Sequence, residues 1–246
     1  MNNSLVSVII PFFNRPSSTI RAIKSVLNQT YKQYEILIIN DGSLVDISCV
    51  LDFCSGKNNI KILYQNNMGP ANARNKGINN AKGRFIAFLD SDDEWHKDKL
   101  KLQINFMLEN KIIFSYTSYS IKNTHYKNIK KIDAGKNLYK YPYIIFHNKI
   151  ATPTVIIDTS KVKNFLFPQN IYFGEDQILW IKLSKYNCHG NLNLDLAIIH
   201  HDKETTALDF KKKYKAFIAV NNSLVDTPLI KFIHMLYIKS RNLIKR

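Results

Sequence analysis

The sequence predicts an α/β domain with a mostly parallel central sheet flanked by helices. Short apolar runs alternate with helical patterns from residue 5 to residue 90, which is typical of successive βαβ units. A chain of 246 residues with 45% hydrophobic residues is long enough to bury a substantial core. Each apolar run ends where a polar cluster begins, as expected where an open parallel sheet presents its carboxyl edge to a ligand.

The first half carries the clearest elements. Strands are predicted at Val6–Phe12, Tyr34–Asn40, Ile60–Tyr64 and Arg84–Leu89, and helices at Pro16–Gln29 and Pro70–Ala81. A proline near the start of each helix fits this prediction. Proline lacks a backbone N–H, and the N–H groups in the first turn of a helix have no hydrogen-bond acceptor within the helix.

The second half is less regular. It predicts an amphipathic helix over 97–110, a strand over Ile112–Ile121, a helix over Gln177–Lys185 and a short strand over Ala197–Ile199. We expect one domain over 1–207, with halves 1–110 and 111–207. Residues 208–246 predict a basic amphipathic helical tail, which either packs on the domain or lies on an anionic membrane surface.

The net charge and the cysteines limit which partners and which cell compartment we expect. A formal net charge of +16 favours an anionic partner, such as nucleic acid, an acidic membrane or a phosphorylated substrate. The alternative is that the enrichment in Lys and Asn partly reflects the base composition of the genome. Three cysteines without a CxxC pair predict no disulfide framework. No secretory signal and no apolar stretch of roughly 20 residues is evident, so we expect a cytoplasmic location.

The strongest chemical signal is an apolar strand that ends in Asp90, Asp92 and Asp93. Carboxylates this close raise one another's pKa, and a hard divalent cation is the usual relief. The alternative is an acidic turn that caps a helix beginning near Trp95. Asp41, which ends another predicted strand, would reach the same sheet edge, and this favours a site for a metal and a nucleotide.

These motifs resemble the family 2 glycosyltransferases of the GT-A fold, of the bacterial surface-polysaccharide type. The resemblance rests on four blocks in the order and at the spacing of the family. They are Val6–Asn14, Ile38–Ser43, Asn67–Gly77 and Gly83–Trp95, and Gly174-Glu175-Asp176 extends the match to about residue 200.

The resemblance implies a nucleotide-sugar donor site. The residues that would hold the UDP-sugar are Pro11, Phe13, Asn14, Asp41, Arg74, Asp90 and Asp92. Asp92 would bind Mn²⁺ or Mg²⁺, and Asp90 would face the ribose or the metal's water shell. His201 would complete the metal site, although the adjacent His200 leaves the register open.

The resemblance also implies the chemistry. Asp176 would deprotonate the acceptor hydroxyl and Glu175 would position the acceptor or the backbone, giving transfer with inversion. The alternative for this acidic pair is a helix N-terminus that favours acids. Trp95 would either form a wall for a sugar ring or simply pack under the helix.

The implied reaction is transfer of a hexose, from UDP-Gal or UDP-Glc, to a saccharide acceptor that is lipid-linked. The pathway would be O-antigen, lipopolysaccharide or capsule synthesis at the inner face of the membrane. The alternatives are a metal-dependent nucleotidyltransferase and a basic nucleic-acid-binding module. The first strand lacks a following glycine-rich phosphate loop and no groove-reading motif is found, so we expect no nucleic-acid partner.

Overall fold

The computed structural model describes residues 4–123, 129–135, 141–146, 149–171, 173–186, 188–201, 215, 218–223, 228 and 231–235. Its strands are β1 (Val6–Phe12), β2 (Tyr34–Asn40), β3 (Ile60–Tyr64), β4 (Phe85–Phe88), β5 (Glu94–Trp95), β6 (Phe114–Asn123), β7 (Ile129–Ile132), β8 (Ile156–Asp158) and β9 (His189–His201). Its helices are α1 (Pro16–Leu27), α2 (Ser48–Cys54), α3 (Pro70–Asn80), α4 (Lys99–Glu109) and α5 (Glu175–Ser184), with 3-10 turns at Tyr143–Ile145 and Thr152–Thr154.

Within the described residues the strands form one sheet in the order β3-β2-β1-β4-β8-β6-β9-β5, and β7 also pairs with β6, antiparallel to it. Strands β1 to β4 are parallel, as the sequence predicts. Beyond β4 the sheet is mixed, because β8 runs antiparallel to both β4 and β6 while β9 pairs parallel to β6. The sheet as a whole is therefore mixed rather than mostly parallel.

Hydrophobic side chains cover both faces of the sheet. In β1, Ile9 points into one apolar cluster while Val8 and Ile10 point into the other, and all three are fully buried. Burial on both faces explains why the parallel strands read as continuous apolar runs. Helix α3 lies close to β1 because Gly77 leaves room for Ile9, whose side chain would lie 2.5 Å from a Cβ added there.

Several elements differ from the sequence prediction. Trp95 lies in the two-residue strand β5, paired with Ala197 of β9, and the helix begins only at Lys99. The strand predicted over Ala197–Ile199 extends over His189–His201. Its first half is polar and partly exposed, so hydrophobic patterning alone does not reveal it.

The C-terminal region is described in pieces. Residues 218–223 and 231–235 are helical, and Val220 is buried in the core while His234 is fully buried and its ring lies 5.8 Å from that of Phe146. These two residues pack on the domain, and of the tail predicted over 208–246 the residues other than 215, 218–223, 228 and 231–235 lie outside the described residues. In the part of the chain that the structure describes, no helix has the length and hydrophobicity needed to cross a bilayer.

Candidate active site

A cavity of about 370 Å³ opens at the carboxyl ends of β1, β2 and β4. Its lining comprises Pro11, Phe12, Phe13, Arg15, Asp41, Pro70, Arg74, Asp90, Ser91 and Asp92. Six of the seven residues predicted to hold the donor therefore line one cavity. They meet there because parallel strands bring their carboxyl ends to the same edge.

Asp41 is buried at the cavity and organises the loop that leads into α3. Its Oδ1 accepts hydrogen bonds from Gln65 Nε2 at 2.8 Å and from the Met68 N–H at 2.9 Å, and its Oδ2 accepts one from the Gly69 N–H at 2.9 Å. A carboxylate has about four acceptor positions, so about one remains for a ligand.

Asn14, the seventh predicted residue, does not line this cavity. Its Oδ1 accepts a hydrogen bond from the Leu44 N–H at 2.7 Å, and its own N–H donates to Ser43 Oγ at 3.0 Å. Asn14 therefore joins the end of β1 to the loop after Asp41. It shapes the cavity wall through these contacts.

Both carboxylates of the DxD pair, which is Asp90 and Asp92 in the loop after β4 (the DxD loop), contact a guanidinium. Asp90 accepts a hydrogen bond from Arg74 at 2.7 Å, and Asp92 forms an ion pair with Arg15. Arg15 is the residue that the sequence reasoning missed, although it directly follows Asn14 in a polar cluster. Its side chain is 53% exposed, so it closes one side of the cavity without being buried.

Asp93 faces away from solvent. It is 3% exposed, and its Oδ1 accepts a hydrogen bond from the His200 N–H at 3.0 Å. Burial, followed by the charges of Asp90 and Asp92, raises the pKa of Asp93 well above its usual range. Asp93 thus ties the DxD loop to the end of β9.

Arg74 connects the DxD loop to the acidic pair of α5. Its guanidinium is 7% exposed and donates to Asp90 at 2.7 Å and to Glu175 at 3.2 Å, above the ring of Phe167. Burial by itself lowers the pKa of Arg74, but the two carboxylates outweigh burial and raise it. A permanent cation therefore lies between the two acidic clusters.

Glu175 and Asp176 open helix α5. Gly174 precedes them with φ +85°, a left-handed conformation that favours glycine. Asp176 accepts hydrogen bonds from Thr152 Oγ1 at 3.1 Å and from the Gln177 N–H at 2.7 Å. These contacts hold the carboxylate in one orientation.

Both members of this pair bind protons more tightly than usual. Burial, followed by the charge of Asp176, raises the pKa of Glu175 to about 7. Burial also raises the pKa of Asp176, against the opposing effect of Arg74. The pair therefore suits proton transfer near neutral pH.

The end of β9 separates the two adjacent histidines. The His200 ring is buried with its Nε2 2.7 Å from Glu94 Oε1, whereas His201 is exposed at the last position of the strand. His200 thus contacts Glu94, and among the described residues no group of three metal-binding side chains includes His201, so the metal site predicted from Asp90, Asp92 and His201 is not assembled in this structure. Trp95 is 5% exposed and donates from Nε1 to the Pro153 carbonyl at 2.7 Å, so the packing interpretation holds for it.

The donor set suits a hard cation only in part. Asp90 and Asp92 offer carboxylate oxygens to the cavity. No group of three or more His, Cys, Asp or Glu side chains able to hold a metal ion is found among the residues that the structure describes. Mg²⁺ is commonly bound by one or two carboxylates together with substrate phosphates, so this pair fits such an ion when a diphosphate supplies the other ligands.

A family model described as glycosyl transferase family 2 matches residues 7–167. The chain belongs to glycosyl transferase family 2. This membership favours the glycosyltransferase interpretation over a nucleotidyltransferase and over a nucleic-acid-binding module. The match with the family model covers both the DxD loop and the strands that position this loop.

The relatives of this family 2 chain include a protein whose name states its reaction. The chain is 43% identical over 237 residues to an uncharacterized glycosyltransferase of Rickettsia conorii, covering 94% of this chain but only 39% of that relative. It is 33% identical over 240 residues to WfgD of Escherichia coli, covering 96% and 92% of the two chains. WfgD is named a UDP-Glc:alpha-D-GlcNAc-diphosphoundecaprenol beta-1,3-glucosyltransferase.

Solved structures support the fold. TarS 1-349 of S. aureus, crystallised with UDP-GlcNAc, matches with a TM-score of 0.72 at 21% identity, covering 95% of this chain and 70% of that one. The predicted GT-A fold is thereby confirmed. At this identity the match establishes the architecture alone.

Proposed function

We propose that this family 2 chain transfers a hexose from a UDP-sugar to a saccharide acceptor with inversion, and that the acceptor is lipid-linked. The observation that carries the proposal is the bridge made by Arg74, which joins Asp90 of the donor cavity to Glu175 beside Asp176. One guanidinium thus brings the donor site of the half 1–110 and the acidic pair of the half 111–207 into a single site.

The donor would lie along the ends of β1, β2 and β4. Asp41 has an acceptor position left for an N–H of uracil, and Pro11 and Phe13 line the same cavity. Arg15 and Arg74 supply positive charge where the diphosphate would sit. These residues bind the nucleotide and orient the sugar toward the acidic pair.

Asp92 and Asp90, together with oxygens of the donor diphosphate, would hold Mn²⁺ or Mg²⁺. Such an ion would neutralise the charge that develops on the departing diphosphate. Arg15 now neutralises Asp92 through their ion pair, so it would have to leave that carboxylate for the cation to bind.

Asp176 would accept the proton of the acceptor hydroxyl as that oxygen attacks the anomeric carbon. The bond from this carbon to the diphosphate oxygen breaks in the same displacement, so the configuration inverts and UDP leaves. Thr152 and the Gln177 N–H hold Asp176 in place for this step. Glu175, held by Arg74, would position the acceptor side of the site.

The relatives guide the choice of substrates. WfgD is named for UDP-Glc and a diphosphoundecaprenol-linked acceptor, which supports UDP-Glc over UDP-Gal as the donor of this chain. We propose that the reaction takes place at the inner, cytoplasmic face of a membrane, in O-antigen, lipopolysaccharide or capsule synthesis. The basic tail predicted over 208–246 would attract the anionic lipid surface.

The test is release of UDP from UDP-Glc, UDP-Gal, UDP-GlcNAc and UDP-GalNAc with Mn²⁺, with and without a bacterial lipid extract. We expect UDP to be released from one donor. The lipid extract should raise the rate of release, and EDTA should abolish release. Release from none of them, together with no binding of UDP, would overturn the proposed function.

The base is tested by Asp176→Asn, which removes the proton acceptor and keeps the shape. We expect UDP binding to persist and transfer to fall at least about a hundredfold. Asp52→Asn, on an exposed face of α2, is the matched control and should leave transfer unchanged. Strong residual transfer in Asp176→Asn would refute the base assignment.

The metal site is tested by Asp92→Ala. This variant should lose the Mn²⁺ dependence of UDP binding, measured by titration calorimetry with and without the cation. Unchanged dependence on Mn²⁺ would show that Asp92 is not a ligand.

A further inference from the structure

A second cavity, of about 660 Å³, lies between the segment before α5 and the C-terminal helical residues. Its lining includes the apolar side chains of Ile171, Phe173, Ile218 and Ala219, and Lys215 also borders it. None of these residues belongs to the donor site. Asn170, Asn222 and Ser223 complete the lining, but most of the wall is apolar, so the cavity favours a hydrocarbon over a sugar or a nucleotide.

The position of this apolar cavity connects it to the reaction. Phe173, in its wall, is followed directly by Gly174 and the acidic pair. A smaller cavity, of about 30 Å³, is lined by Pro70 and Ile171 among others. Pro70 also lines the donor cavity, and Ile171 also lines the apolar cavity, so the three cavities follow one another along the surface.

The surface around the apolar cavity is both apolar and basic. Ile218 lines the cavity and is 40% exposed. Lys215 lines the same cavity. An exposed apolar side chain beside a lysine suits a ligand that combines a hydrocarbon chain with an anionic head.

We propose that the apolar cavity holds the first part of the hydrocarbon chain of a polyisoprenyl diphosphate acceptor. This inference rests on the proposed function, because it assumes that the acceptor sugar lies at Asp176. The sugar would then sit beside the acidic pair, the diphosphate near Lys215, and the chain against Ile171, Phe173 and Ile218. Since the chain leaves the site across exposed Ile218, the rest of the lipid can stay in the membrane.

The test compares Ile218→Asp with Phe232→Asp in the full chain. Both substitutions place a carboxylate at an exposed apolar position of the C-terminal helical residues, but only Ile218 lines the cavity. Binding of undecaprenyl diphosphate in detergent micelles is measured by titration calorimetry. We expect Ile218→Asp to weaken binding by roughly tenfold or more, because an apolar subsite is lost, and Phe232→Asp to leave it unchanged.

Transfer provides the second measurement. The same acceptor sugar is offered on a short alkyl diphosphate and on undecaprenyl diphosphate. Ile218→Asp should raise KM for the long acceptor alone, with kcat and the short-acceptor KM preserved. Unfolding temperatures of both variants establish that they fold, and Ile218→Asn replaces Ile218→Asp if the latter does not.

The outcomes separate the two proposals. If the wild type binds undecaprenyl diphosphate no better than a short alkyl diphosphate, or if both variants weaken it equally, the cavity does not hold the chain. If the wild type binds the lipid through Ile218 but transfers to neither acceptor from any donor, the cavity inference stands and the proposed reaction fails.

Discussion

Arg74→Met tests whether the buried guanidinium holds the site together. Arg74 is 7% exposed and its two carboxylate partners differ, because Asp90 is 30% exposed while Glu175 is 11% exposed. Once the guanidinium is removed, Asp90 can be hydrated but Glu175 stays buried without its cation. Breaking a buried ion pair costs about 3 to 5 kcal/mol, so with one partner rehydrated we expect a loss of about 3 kcal/mol in the free energy of unfolding.

The loss in the free energy of unfolding of Arg74→Met should depend on pH. Glu175 already has its pKa raised to about 7, and Arg74 acts to lower it, so removing Arg74 raises this pKa further. A carboxyl whose folded pKa lies above its unfolded value binds more protons when folded, so its contribution to stability falls as pH rises. Arg74→Met should therefore be destabilised more at roughly pH 8 than at roughly pH 6.

Urea unfolding followed by circular dichroism measures this loss at both pH values. The control is Arg84→Met, which removes a guanidinium from a single buried carboxylate, Asp158, whose pKa is lowered in the folded protein. A lowered carboxyl pKa affects stability only in acid, so the control's loss should be the same at roughly pH 6 and 8. A loss below about 1 kcal/mol for Arg74→Met at the higher pH, or one that does not vary with pH, would refute the reasoning.

Three further predictions concern the same site. Glu175→Gln removes a negative charge beside Asp176, so the acid limb of the pH–rate profile should move to lower pH than in the wild type, and an unchanged limb contradicts this. Gly42 has φ +73°, and Gly42→Ala would place a Cβ 2.7 Å from the main-chain nitrogen of Asn67. Thermal unfolding should therefore show a loss of about 1 to 3 kcal/mol in the free energy of unfolding, and an unchanged unfolding temperature would contradict the clash. Arg15→Ala removes the counter-ion of Asp92, so calorimetry should show tighter Mn²⁺ binding without nucleotide, and weaker binding would argue against competition between the two cations.

The first half of the fold is predictable because its signals are local. Strands β1, β2 and β3 have the bounds predicted for them. β1 and β2 are buried on both faces and read as apolar runs that stop at a polar residue, whereas β3 is a partly exposed edge strand. Asp41 and Asp90 are found in the same way, as the residues that follow such runs. Two strands escape prediction because they are short: β8 has three residues and β5 has two, so neither leaves a periodic pattern.

By itself, the sequence determined the fold class, the parallel strands and the residue types at the carboxyl edge of the sheet, because these follow from neighbouring positions along the chain. The tertiary structure alone decided which charges meet. Arg74 lies 16 positions from Asp90 and 101 positions from Glu175, and Arg15 lies 77 positions from Asp92. Such pairs form only when strand order and helix packing bring distant segments together, and their burial, which no local pattern encodes, then sets their pKa values.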